Sequence, residues 1–235
     1  MRVRLIAHTP DPEKVCGAAA RSCYSSDPAS ELVDTDTSGA LRHAIAYGHL
    51  SVLEHATFTF SVEGVSRVLT HQLVRHRLAS FSQQSQRYVK FDGAPEVVMP
   101  RTVEEALDRE RVGTDSRSEE ELRNALENYI CDLNVLIDTL HDHGVPEEDI
   151  RYFFPQGSAT NITFTMNLRE LSHFLGLRRC ARAQEEIRYL ADEIAEIMAE
   201  VFPLFAGVLF GPQCDRLGYC PEKSKGCGRH RQVGV

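Results

Sequence analysis

Lysine is nearly missing from this chain. Only Lys14, Lys90, Lys223 and Lys225 contribute to its 26 basic residues, and arginine supplies the rest. Arginine presents a rigid fork of donors, so this bias favours fixed bidentate contacts, with phosphate a natural partner, over diffuse surface charge. A net charge of −8 excludes a protein that coats nucleic acid. No apolar run approaches the roughly 20 residues that span a bilayer. The N-terminal stretch MRVRLIAHTPDPEK has no apolar signal core, so the expected location is the cytoplasm and no membrane partner is expected. No Cys-x-x-Cys pair, His-Glu-x-x-His motif or glycine-rich phosphate loop occurs. The seven cysteines are odd in number and scattered, which argues against a disulfide framework. Cys214, Cys220, Cys227 and His230 crowd the C-terminus, but their spacing matches no strong zinc motif. The cluster His49, Ser51, Glu54 and His55 matches none either, and no metal is expected.

What remains is an ordinary globular composition, 42% hydrophobic and 26% charged in 235 residues. One domain over residues 1–210 with a tail over 211–235 is the expected organisation. The most distinctive stretch is Arg75–Tyr88, RHRLASFSQQSQRY, with three arginines, a histidine, three serines and three glutamines. Its guanidinium and hydroxyl donors suit anionic oxygens. Composition alone favours a solvated basic loop, and only the rest of the chain shifts that reading.

Patterning predicts strands over Val3–Ala7 and His55–Glu63, the latter turning Ala56, Phe58, Phe60 and Val62 to one face. Two further short strands are expected around Pro155-Gln156-Gly157, and Tyr88–Val98 reads as extended. Helices are predicted over Pro12–Tyr24 (capped by Asp11), Thr37–Gly48, Gly64–His76, Ser118–His143, Asn167–Arg178 and Ala183–Phe205. Ser25–Asp36 reads as a loop. The Gly64–His76 helix would deliver Arg75, His76 and Arg77 at its C-terminal end. Along Asn167–Arg178, Leu168, Leu171, Phe174 and Leu175 form the apolar stripe. Arg178 falls within about 20° of the bearing of Asn167, on that side. Arg169 and His173 project away. A guanidinium on a core-facing stripe needs a partner, whether an internal carboxylate, the helix end or an anionic ligand.

Three blocks then combine. They are His49-x-Ser51-x-x-Glu54-His55; Arg75-His76-Arg77 with Ser80, Ser85-x-Arg87 and Tyr88; and Asn167-Leu168-Arg169-x-Leu171 through Leu177-Arg178 to Ala183-Gln184-x-Glu186-Ile187. In this order they resemble the flavin-dependent thymidylate synthase (ThyX) family, whose signature RHRxxSxxxxSxRY the second block matches. The resemblance implies an α/β (α+β) fold with a central, mostly antiparallel sheet flanked by long helices, not a Rossmann fold. It implies conversion of dUMP to dTMP, with methylenetetrahydrofolate as carbon donor, FAD as hydride carrier and NADPH as reductant. It also implies a homotetramer with shared active sites. By position, Gln72, Leu73, Val74, Arg75, Gln83, Gln84, Ser85, Gln86, Arg87, Arg151 and Arg178 match dUMP-binding residues. Ser51, Arg75, His76, Arg77, Gln83, Asn167, Leu168, Arg169 and His173 match FAD-binding ones. Arg178 matches the arginine that ionises the uracil ring, and His49 a histidine required for activity. His173, Gln83 and Arg182 depart from the Asn, Glu and His frequent in the family, all on the flavin side. No cysteine follows a proline, so the Pro-Cys-His nucleophile of the other thymidylate synthase class is absent. A nucleic-acid patch, or a flavoenzyme for another pyrimidine nucleotide, are the competing readings.

Overall fold

The computed structural model describes residues 1–91, 93–108, 117–222 and 225–232, with side chains described from residue 120 in the helix that begins at 117. Strand β1 (Arg2–His8) leads to α1 (Pro12–Ser22). Asp11 stands at the cap position expected of it, but with φ 44° and no capping side-chain bond. Its carbonyl accepts from Lys14 and Val15 instead. The expected loop after α1 contains one turn of helix, α2 (Ala29–Leu32), before α3 (Ser38–Ala46). Gly48, at φ 75°, ends that segment in the left-handed conformation that glycine tolerates. A 3-10 segment, Leu50–His55, then feeds β2 (Thr57–Ser66).

The predicted alternation in β2 is observed, with Phe58, Phe60 and Val62 fully buried. The strand runs past Gly64 to Ser66, so the following helix, α4 (Arg67–Leu73), is shorter at both ends than periodicity predicted. The Ser66 hydroxyl explains the late start, because it accepts the Leu69 N–H at 3.0 Å as an N-cap does. Arg75, His76 and Arg77 therefore lie beyond the helix. The polar stretch after them contains a strand, β3 (Ala79–Gln83), hidden from patterning because only Phe81 is strongly apolar. Its ring lies 6.3 Å from Phe164.

Helices α5 (Arg101–Asp108), α6 (Arg117–Asp142) and α7 (Glu147–Ile150) follow. A 3-10 turn, Arg151–Phe153, replaces the first of the two strands expected around Pro155, where the Ser158 N–H and hydroxyl both donate to the Pro155 carbonyl. Only β4 (Ala159–Asn167) forms there. The predicted extended run over Tyr88–Val98 contributes one bridge, Val97 to Ser158. Helices α8 (Leu168–Arg178) and α9 (Glu185–Val201) carry the expected stripes. Helix α9 stops at Val201, where Pro203 cannot continue it. A 3-10 turn (Pro203–Phe205), α10 (Ala206–Leu209) and α11 (Gln213–Leu217) complete the order.

The four strands form one antiparallel sheet in the order β1-β2-β4-β3. Two compact units divide the chain. The first comprises Met1–Glu63, His71–Ser82 and Ile162–Val235. Its core joins Phe60 and Phe164, whose rings stack at 5.4 Å, and α9 packs on β1 and α8. Burying each such phenylalanine contributes roughly 1.5–3 kcal/mol. The second unit comprises Gly64–Thr70 and Gln83–Asn161. Leu133, Ile137 and Ile150 form its core, with Ala94, Leu140, Val145 and Phe154 against them. Of the stripe predicted along α6, Tyr129 and Leu136 are exposed.

Candidate active site

The start of α8 sets the geometry of the first cluster. The Asn167 side chain accepts the Glu170 N–H at 2.9 Å, which fixes the first turn. Glu170 then points inward, and its carboxylate accepts from His76 Nδ1 at 3.2 Å. On the other side of the same ring, Arg178 Nε donates to His76 Nε2 at 3.1 Å. These bonds fix the tautomer: Nδ1 carries the proton and Nε2 accepts. Burial, then the Arg178 and His173 charges, lower the His76 pKa to about 4, so the ring is neutral near pH 7. Its bond to Glu170 is therefore a hydrogen bond from a neutral ring rather than an ion pair. Burial pushes the Glu170 carboxyl up, and His173 opposes the shift. The edge of the His76 ring stands against Phe174, with centroids 5.0 Å apart, which locks its orientation.

Arg178 also donates from Nη2 to the Gln72 carbonyl in the last turn of α4, at 3.3 Å. Both of these partners are neutral, and burial lowers the Arg178 pKa. A half-buried guanidinium without a direct carboxylate is costly, and a ligand with developing negative charge would offset that cost. Two of its five N–H groups are engaged among the described residues, which leaves three for such a ligand. Glu170 was absent from the sequence expectations. The signal for it was a carboxylate on the buried side of α8, three residues past the cap.

The first sequence block meets the third in the same unit. Glu54 pairs with Arg169 at 2.5 Å, and the Leu168 N–H donates to the Ala56 carbonyl at 2.8 Å. His49 and Ser51 are exposed at the start of the 3-10 segment, as are Arg75, Arg77 and His173. His76, expected against the flavin, instead has its side chain buried between Glu170 and Arg178. Leu73 and Leu168 are core side chains, so a ligand can meet them only through backbone. Val74 is exposed.

The second unit gathers the remaining residues. Gln83 donates from Nε2 to the hydroxyls of Thr70 and Thr160, at 3.2 and 3.3 Å, which leaves its carbonyl oxygen for a ligand. The Gln84 carbonyl accepts from Asn161, whose own oxygen accepts the Gly64 N–H. The Ser85 hydroxyl accepts the Arg87 N–H at 3.2 Å, a turn contact rather than an activated nucleophile. Gln86 is buried, and its Nε2 has no hydrogen-bond partner among the described residues. Such an orphan donor costs about 1–3 kcal/mol unless a ligand accepts from it. Arg87 and Arg151 converge on Glu148: Arg87 Nε reaches its carboxylate at 2.6 Å and Arg151 Nε its carbonyl at 3.0 Å. Two exposed guanidinium groups that share Glu148 suit a phosphate-bearing ligand. Thr70, Thr160 and Glu148 were also missed, since none stands out in sequence without its neighbours.

The family model "Thymidylate synthase complementing protein" matches residues 4–204. A flavin-dependent thymidylate synthase from Geobacter sulfurreducens is 45% identical over 240 residues, 99% of this chain and 96% of that protein. One from Pyrococcus horikoshii is 43% identical over 230 residues, 95% and 90% of the two chains. Among solved structures, the UMP/dUMP methylase PolB from Streptomyces cacaoi, bound with 5-Br dUMP, has TM-score 0.66 at 24% identity, covering 87% of this chain and 92% of that one. ThyX from Helicobacter pylori, complexed with FAD and dUMP, has TM-score 0.60 at 24% identity, covering 86% and 98%. These two likenesses establish the fold.

Proposed function

The chain belongs to the flavin-dependent thymidylate synthase family, and we propose that, in active sites shared between copies of the chain, Arg178 activates the pyrimidine of dUMP for methylation to dTMP while Arg87 and Arg151 bind its phosphate. The observation that carries this reading is the buried chain Glu170–His76–Arg178. Glu170 fixes the tautomer, the neutral ring accepts from Arg178, and the guanidinium is held with its free donors preorganised. Negative charge developing on the ring oxygens is stabilised there without any proton leaving the arginine. The Gln86 amide and the Gln83 carbonyl supply further contacts for the nucleotide. Arg87 exchanges the Glu148 carboxylate for phosphate when the nucleotide enters.

Ser51, Arg75, Arg77, Asn167, Arg169 and His173 hold FAD, with Glu54 orienting Arg169. His49 supports the reaction from the exposed edge of the same unit. When bound, the flavin supplies the hydride. Methylenetetrahydrofolate supplies the carbon and NADPH reduces the flavin. Residues 1–210 form the catalytic domain, with 211–235 a tail. The enzyme is a cytoplasmic homotetramer with shared active sites. Among the described residues, no helix is long and apolar enough to cross a membrane.

The decisive assay combines protein, dUMP, methylenetetrahydrofolate, FAD and NADPH and measures dTMP. The purified protein should be yellow, and NADPH should bleach it. A colourless protein that cannot be reconstituted with FAD, or one that makes no dTMP, would overturn the reading. Replacing each cysteine by alanine should leave some activity, since no thiol takes part in the proposed chemistry.

A further inference from the structure

The C-terminal residues gather chemistry that the methylation of dUMP does not use. A cavity of about 260 Å³ is lined by Cys180, Cys214, Cys220 and Cys227, together with His230 and Arg229. Four of the seven cysteines thus line one cavity although 47 positions separate the first from the last, and all seven are free thiols. Cys214, Asp215 and His230 place a sulfur, a carboxylate oxygen and a ring nitrogen within 4.8 Å of one another. Arg229 lies within electrostatic reach of both Cys214 and Cys227.

Asp215 is itself fixed. It accepts from Arg229 Nε and Nη2 at 2.8 and 2.7 Å, and from His230 Nε2 at 2.7 Å. A carboxylate that accepts from Nε2 leaves Nδ1 of a neutral ring as a lone pair, the arrangement by which an outer carboxylate prepares a ligating histidine. Past α11 the chain has little regular structure among its described residues beyond the bridge of Cys220 to Gln232. A segment with so little core gains most from a cross-link or a metal. Sequence spacing disfavoured a zinc site because no Cys-x-x-Cys pair occurs. The fold brings Cys214 and His230 to ligand distance although 16 positions separate them, and sets the other three cysteines around the same cavity.

We propose that this cavity is a structural site for a zinc-class divalent cation, ligated by Cys214 and by three further donors drawn from Cys180, Cys220, Cys227 and His230. Each ligating thiol releases its proton to solvent as the cation binds, and the site pins the tail to the end of α8. Thiolate and imidazole donors select zinc over magnesium or calcium.

The test uses the full chain produced with zinc supplied, then freed of loosely bound metal. Elemental analysis should find about one zinc per chain, the occupancy of a closed four-ligand site. Exchange for Co²⁺ should give the thiolate-to-cobalt charge-transfer band and the visible bands of a tetrahedral centre. Cys214→Ser should abolish both signals, whereas Cys131→Ser, at an exposed position on α6, should keep them. Single replacements at Cys180, Cys220, Cys227 and His230 should show three ligands and one bystander. A zinc-supplied chain without metal and without the cobalt thiolate band overturns the proposal, as does one whose four thiols are joined as disulfides. Zinc retained by Cys214→Ser does the same. Should Cys214→Ser fail to fold, the cobalt spectrum of the unaltered chain decides. None of these readouts depends on dTMP formation, so failure here and failure of the methylation reading are separable.

Discussion

Arg178 and Arg87 are both matched to the nucleotide, yet the protein holds them in opposite ways. Arg178 is half-buried and its protein partners are an imidazole nitrogen and a carbonyl oxygen. Arg87 is largely exposed and donates directly to the Glu148 carboxylate. The first arrangement keeps the positive charge unneutralised at a fixed point, which suits stabilising charge that appears only during reaction. The second keeps the fork satisfied until an anion displaces the carboxylate, which suits reversible binding. On the proposed reading, one arginine serves the transition state and the other the ground state.

Replacing the first should therefore hurt turnover, and replacing the second should hurt binding. Arg178→Ala is expected to lower turnover by about three orders of magnitude, the scale of removing a preorganised charge-stabilising donor. Its dUMP affinity should fall much less, and its fold should remain. Steady-state measurement of dTMP formation beside a direct dUMP titration separates the two. Turnover within tenfold of the unaltered protein, or a loss confined to KM, would break the distinction.

The next largest effect concerns how Arg178 is held. His76 has a pKa lowered from 6.5 to about 4, so within that window the unfolded ring takes a proton that the folded ring refuses. The unfolded state binds more protons there, so stability rises with pH across the window and is lost as pH falls through it. The full contribution is about 3 kcal/mol. Glu170, whose carboxyl is raised by burial, works in the opposite sense. His173, Arg178 and the Phe174 ring are the other groups facing the ring. His76→Asn should flatten the acid limb of stability, read from urea midpoints at successive pH values. It should also lower turnover, because Nε2 no longer orients Arg178. A variant with an unchanged pH profile would mean that the ring is not held neutral.

Much of this was legible in the sequence. The alternation of Phe58, Phe60 and Val62 revealed the central strand, and the helical stripe of Leu168–Leu175 placed Arg178 toward the interior. The arginine-serine-glutamine stretch stood out by composition, but β3 inside it did not. A sheet-edge strand needs only one strongly apolar side chain when a neighbour such as Phe164 supplies the rest. Glu170 and Glu148 were illegible because their importance lies in contacts to His76 and Arg87, at 94 and 61 positions' remove. Local patterning carries no term for such pairs. Cys180 and the three later cysteines of the tail show the same limit.

For the exposed arginine the expected effect is smaller. Arg87→Ala should weaken dUMP binding by about tenfold, since solvent already screens much of the interaction. Turnover at saturating dUMP should stay near that of the unaltered chain. Glu148→Gln removes the competing carboxylate and should tighten binding by about two- to fivefold. Unchanged affinity in both variants would remove Arg87 from the phosphate site.

The smallest effect is expected at the pair of Glu54 and Arg169, which lies in the same unit as Arg178 but resembles Arg87 in exposure. Both side chains are about half exposed, at 46% and 50%. Such a pair contributes only about 0–1 kcal/mol to folding. Glu54→Gln should therefore leave thermal stability almost unchanged. If Glu54 orients Arg169 for FAD, flavin affinity should still fall by about two- to threefold, measured by titrating the flavin-free protein, without a change in dUMP affinity. A large stability loss would instead make the pair a structural tie between the 3-10 segment and α8. An unchanged flavin affinity would remove Glu54 from the positioning of Arg169.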